Sequence, residues 1–264
     1  MDFSLTNEQQ MIIDTLKTFV EQELYPHEAE VEKTNEIRPE LYAEIKQKAL
    51  DLGLYAANMP EEHGGAGLDS LTLCLMEREL GRANFGLQYI VGRPSNILLA
   101  CKGDQIENYL HASIRGDKVD CLAMTEPNAG SDVRSMQCRA ERDGDDFVIN
   151  GTKHFISHAD VADFVILFAA SGVEETPRGP KKKITSFLID KDTPGFTVEP
   201  GYNSVSHRGY HNSILNFDNC RVHKSQVLGE EDHGFDVANE WLGATRLSVA
   251  AMCLGRAERA LEIA

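Results

Sequence analysis

Two short stretches carry residue types that could do chemistry. The first is Thr125-Glu126-Pro127-Asn128-Ala129-Gly130-Ser131-Asp132. A serine in a small-residue turn suggests a nucleophile. A serine elbow would read G-x-S-x-G, however, and Asp132 and Val133 follow Ser131 with no second glycine. The same turn could cradle an anion. Asn128, Ala129 and Gly130 permit close backbone approach, and Ser131 adds a hydroxyl. Residue chemistry alone balances this reading against an ordinary surface turn. The second stretch, Ile149-Asn150-Gly151-Thr152-Lys153-His154-Phe155-Ile156-Ser157, mixes hydroxyls, an aromatic and charge. His154 and His158 have helical ligand spacing but flank a strand-like run, which argues against a metal site. A third candidate is Arg246, set among Ala244, Leu247, Val249 and Ala250. A cation on so apolar a stretch must snorkel, pair or meet a ligand.

These residues need a scaffold. Thr6 to Gln9 fits a capping box, and Ile12, Leu16, Phe19 and Val20 then recur at helical spacing. Pro26 is expected to end or kink that helix. A second helix is expected over 39–52, with Leu41, Ile45, Ala49 and Leu52 on one face. Gly64, Gly65 and Gly67 mark a loop, and two or three more helices fit between Ser70 and Leu110. Near Val119 the period becomes alternating. Asn150-Gly151 has the chemistry of a type I′ hairpin turn. Strands are expected at 162–169, 184–190, 196–199 and 213–222, with a turn at Asp192 to Gly195. From Gly234 the period is helical again, through Phe235, Ala238, Leu242, Thr245, Val249 and Met252. The expected fold is α+β: a helical domain over 1–118, a middle β-barrel or sandwich over 119–229, and the start of a helical bundle over 230–264.

Composition narrows the partners. The chain has 264 residues and a formal net charge of −16, which argues against nucleic acid. Lys181, Lys182 and Lys183 form the densest basic cluster, and the Pro and Gly before them suggest a solvated loop. The six cysteines include no C-x-x-C pair and read as buried, reduced thiols. The N-terminus has no basic segment and no apolar core, and no run reaches the length of a membrane span. The cytoplasm is the default expectation, or the mitochondrial matrix for a processed eukaryotic parent.

Taken together, the motifs resemble those of the flavin-dependent acyl-CoA dehydrogenases. "AMTEPNAGSD" and "INGTKHFIS" resemble that family's paired T-E-P-x-A-G-S-D and I-N-G-x-K motifs. "MPEEHGGAGL" and Glu77 to Arg82 resemble its N-terminal signature. "ILNFDNCRV" and "LGEEDHGF" resemble the strand and linker before its first C-terminal helix. The resemblance spans essentially the whole chain in order. It implies FAD as cofactor, an acyl-CoA substrate, an electron-transfer flavoprotein or similar acceptor, and a homo-oligomer.

It also implies residue roles. Leu122, Ala123, Met124, Thr125, Gly130 and Ser131 would line the flavin, with Thr125 bonded to the isoalloxazine and Ser131 touching cofactor or substrate. Phe155, Ile156 and Ser157 stand where the family has Trp-Ile-Thr, so a hydroxyl and an aromatic wall remain while the indole N–H is lost. Arg246 would meet the CoA portion, although Gly243 stands where the family often has an acid. The implied reaction is α,β-desaturation: a carboxylate takes the α-proton and flavin N5 takes the β-hydride. Neither Thr245 nor Glu240 serves as that base, so a glutamate beyond Ala264 is expected. The same fold could instead serve an acyl-CoA oxidase, a flavin monooxygenase or a non-catalytic binding subunit.

Overall fold

A computed structural model describes residues 4–264 apart from Arg93 and Arg178. The chain forms two compact units. One comprises the helices before Pro94 together with Val205–Tyr210 and Leu242–Ala264; the other is Pro94–Ser204 with His211–Trp241.

The helical unit begins with α1, Asn7–Phe19. Its capping box is formed: Gln9 N donates to the Thr6 hydroxyl, and Thr6 N donates to the Gln9 side chain, both at 3.1 Å. Pro26 does not set the end of the regular helix. The chain widens to a π-wound turn at Val20–Leu24 and tightens to a 3-10 turn at Tyr25–His27, where Pro26 needs no helical donor. Then come α2 (Glu28–Thr34), α3 (Pro39–Asp51), α4 (Ser70–Leu80) and α5 (Phe85–Ile90). Leu41, Ile45 and Ala49 of α3 are buried as their spacing requires. Leu52 lies at the cap and is half exposed, because the stripe ends one turn earlier. Leu16, Leu24, Ile45, Leu80 and Leu87 anchor this core.

The second unit opens with short helical turns, the last being α6 at Ala112–Ile114. Then come β1 (Asp120–Ala123), β2 (Arg139–Asp143), β3 (Asp146–Ser157), β4 (Phe164–Thr176), β5 (Gly179–Asp190), β6 (Phe196–Tyr202), β7 (Asn212–His223) and β8 (Val227–Leu228). The expected β-domain is one eight-stranded sheet in the order β6-β7-β3-β2-β4-β5-β8, with β1 parallel to β4. Phe164 to Ala169 of β4 are buried without alternation, so both faces of this central strand are covered. Helix α7, Gly234–Ile263, follows the sheet.

Two local expectations need correction. Asn150-Gly151 is not a hairpin turn: β3 runs through it, and the β2–β3 turn is Gly144-Asp145, flanked by the pair Asp143 and Asp146. Gly151 is needed for proximity, because a Cβ there would lie 2.6 Å from Cys138 Cα. The ladder to β7 also slips at this point, so the N-G pair marks a bulge. Lys181, Lys182 and Lys183 lie within β5, paired to Glu174, Val173 and Gly172. Lys182 donates to the Met136 carbonyl and Lys183 pairs with Asp232 at 2.8 Å, so the cluster is tied down rather than loose.

Candidate flavin-binding site

The two motifs meet inside the β-unit. Strand β1 lays Leu122 and Ala123 along β4 and the chain runs on to Met124 and Thr125, with Ala123 and Met124 buried and Leu122 and Thr125 partly open. Beyond it, Glu126 N donates to Ala129 O at 3.0 Å and Ala129 N returns to Glu126 O at 3.2 Å. The turn therefore uses two of its own N–H groups, which trims the anion-cradle reading. Gly130 and Ser131 lie exposed at its crown.

The second motif docks directly onto the first. His154 N donates to Thr125 O at 2.8 Å. Among the described residues, neither the Thr125 N–H nor its hydroxyl has a protein partner, so both remain available as donors. Below this point lies an ion pair that the sequence reading did not single out. Lys153 and Glu126 approach at 2.8 Å with side chains 0% and 4% exposed. Glu126 also accepts from Gln137 N at 2.5 Å and Cys138 N at 2.9 Å, and Lys153 donates to Met124 O at 2.9 Å. A buried pair holds best when backbone groups take up further hydrogen bonds, as Gln137 N, Cys138 N and the Met124 carbonyl do here. The signal was present in the alternation of β3. Phe147, Ile149 and Gly151 share the inward period with Lys153, so a buried lysine needed a buried acid.

Phe155 is the next departure from regular strand. Its φ is +56°, unusual for a bulky residue, and the β3–β7 register slips between Lys153 and Ile156. Bulges of this kind re-aim a side chain, and Phe155 is 56% exposed. Its ring stacks on Tyr202 with centroids 4.6 Å apart, and the Tyr202 hydroxyl contacts His154 Nδ1 at 3.1 Å. Ile156 faces the core. The Ser157 hydroxyl donates to Asn212 Oδ1 at 3.1 Å. Turning the Asn212 amide over makes it the donor and frees the serine proton.

Leu122–Thr125, Gly130, Ser131 and Phe155–Ser157 thus share one unit. Arg246 belongs to the helical unit, where it is exposed and makes no ion pair among the described residues. The expectation of six buried thiols holds for Cys101, Cys121, Cys138 and Cys220 only, since Cys74 is partly open and Cys253 lies exposed on α7. Burial pushes Cys138 up to about 11 and Cys101 up to about 12, which makes these buried thiols poor nucleophiles. No cluster of three or more His, Cys, Asp or Glu among the described residues could hold a metal.

Comparison with known proteins decides the family. The acyl-CoA dehydrogenase N-terminal domain matches residues 6–117 and the acyl-CoA dehydrogenase middle domain matches 121–220. The 3-(aryl)acrylate reductase of Clostridium sporogenes is 33% identical over 97% of this chain and 67% of its own length. The chain belongs to the acyl-CoA dehydrogenase family. Butyryl-CoA dehydrogenase from Megasphaera elsdenii superposes with a TM-score of 0.86 at 31% identity, over 99% of this chain and 69% of that one. A glutaryl-CoA dehydrogenase from Mycobacterium smegmatis, solved with FADH2, gives 0.84 at 28% identity, over 98% and 64%. The chain spans about two thirds of the length of these relatives. As an acyl-CoA dehydrogenase family member it is an FAD-linked oxidoreductase; the relatives named act on butyryl-CoA, glutaryl-CoA and 3-(aryl)acrylate. The donor set fits a flavin: two unpaired donors at Thr125, a hydroxyl at Ser157 and an exposed aromatic wall at Phe155. No helix among the described residues is long and apolar enough to cross a membrane.

Proposed function

We propose that Leu122–Thr125, Gly130–Ser131 and Phe155–Ser157 form the flavin-facing wall of an enzyme that interconverts saturated and α,β-unsaturated acyl-CoA thioesters. The observation that carries this reading is Thr125. Its carbonyl is held by His154 N, while its N–H and hydroxyl stay unpaired beside the re-aimed Phe155. Bound FAD supplies two-electron acceptance at N5.

The chain's own residues do the rest. Thr125 offers a backbone N–H fixed in advance, which needs no reorganisation when charge develops, and a hydroxyl that turns to meet a ring acceptor. Phe155 excludes water from the ring face. Ser157 offers a hydroxyl whose direction follows the Asn212 amide. Ser131, exposed at the turn crown, is assigned to the cofactor or thioester, and Arg246 to the anionic CoA portion. The α-proton is assigned to a glutamate beyond Ala264, since Thr245 has no basic group to take it. An electron-transfer flavoprotein, or a similar carrier, is the proposed acceptor.

Anaerobic mixing of the FAD-loaded protein with a panel of acyl-CoA thioesters tests this. Bleaching of the visible flavin band is expected with at least one saturated thioester, or reappearance of the band when the reduced protein meets an enoyl-CoA. A loaded protein unchanged by both classes favours a binding subunit instead.

A further inference from the structure

The Lys153 ammonium does more than neutralise Glu126. It donates to the Met124 carbonyl at 2.9 Å. That carbonyl and the Thr125 N–H belong to one peptide group. A charged donor on the oxygen polarises the amide and makes its N–H a stronger donor. Charge-assisted bonds are roughly twice as strong as neutral ones, and linked bonds strengthen one another by roughly 10–30% each. The next peptide, Thr125–Glu126, is held at both ends, by His154 N to Thr125 O and by Glu126 N to Ala129 O. The polarised amide is thus held by Lys153 on its oxygen and by the anchored peptide that follows it. The burial of Lys153 and Glu126 keeps water from screening the effect.

We propose that Lys153 is a positioning residue that sets the electron affinity of the bound flavin through the Met124–Thr125 peptide, with Glu126 as the counter-charge that limits the effect. This rests on the flavin site proposed above. Reduction adds negative charge to the ring, so a stronger Thr125 donor favours the reduced form. Glu126, bonded to the same ammonium, opposes it.

The two residues should therefore act with opposite signs. The midpoint potential of the FAD-loaded protein is measured by equilibrium reduction against a reference dye, without substrate. Lys153→Met should weaken binding of reduced flavin about tenfold relative to oxidised flavin, about 30 mV lower for a two-electron couple. Glu126→Gln removes the counter-charge while leaving Lys153 on the Met124 carbonyl, and should raise the potential. The double variant Lys153→Met/Glu126→Met leaves no lone charge, should fall like the single lysine variant, and stands in for it if that one does not fold. A purely structural pair would move both single variants the same way or not at all, and either result overturns the relay. Wild-type protein that takes up no FAD refutes the site itself. Uptake with the wrong signs refutes the relay alone.

Discussion

The loop-and-strand region around Thr125 and the long helix α7 solve opposite problems. In the first, the buried Lys153–Glu126 pair is bonded in addition to backbone groups of its own unit. In α7, the stretch from Leu242 onward packs on one side only. Gly255 lies so close to α4 that a Cβ would sit 1.8 Å from the Arg78 carbonyl oxygen, and Arg78–Glu258 and Arg259–Glu28 pair at 2.7 and 2.6 Å. Another face leaves Leu247, Leu254 and Leu261, seven residues apart, between 51% and 79% exposed. Leucines repeated at this spacing are the residues a helix ordinarily buries. The contrast separates a site whose order is internal to the chain from a helix whose outer face is uncovered.

That contrast can be broken most strongly at its polar centre. Lys153→Met leaves Glu126 buried and alone, and should cost about 3–5 kcal/mol in urea unfolding of the 264-residue chain. A loss below 1 kcal/mol would mean that the pair is not buried. Phe147→Ala, in the same core, should cost about 3–5 kcal/mol, while Leu261→Ala on α7 should change stability by no more than about 0.5 kcal/mol. A comparable loss at Leu261 would show that its face is covered after all.

Acid titration sharpens the comparison within the β-unit. Burial raises Asp120 to about 6, against the opposing Ser95 N–H bond, and burial lowers His158 to about 4, against Asp160. The protonated Asp120 favours the fold below pH 4, and that contribution is lost as pH rises through 6. His158 is the reverse: its neutral form favours the fold above pH 6.5, and stability falls as pH drops towards 4. The two nearly cancel, each being worth up to about 3 kcal/mol. Asp120→Asn should therefore expose the His158 loss, with unfolding midpoints falling from pH 6.5 to 4 more steeply than in the parent. A slope unchanged by the substitution would contradict this. The smallest effect is expected at the N-terminal cap, where Thr6→Ala should cost about 1 kcal/mol.

The sequence carried the helical stripes, the Thr6 cap and the β-domain because each rests on a local period or a local hydrogen bond. It misplaced the hairpin because Asn150-Gly151 has ideal turn chemistry, yet Gly151 is needed against Cys138, a contact from another strand. It made Lys181 to Lys183 a loop because their partners, Met136 and Asp232, are distant in sequence. The motif resemblance supplied the candidate site residues. It did not supply Glu126 and Lys153 as a pair, since that depends on how β1 meets β3. The exposed, strained Phe155 was likewise hidden, because a bulge shifts the inside–outside alternation that period-2 reading assumes.

The central claim is that Thr125 and Ser157 face a flavin. FAD titration of the parent and of the Thr125→Ala/Ser157→Ala double variant tests it most directly. Two lost hydrogen bonds of about 0.5–1.5 kcal/mol each predict affinity weaker by roughly 5- to 150-fold. Equal affinity in parent and variant, with both folded, would contradict the site.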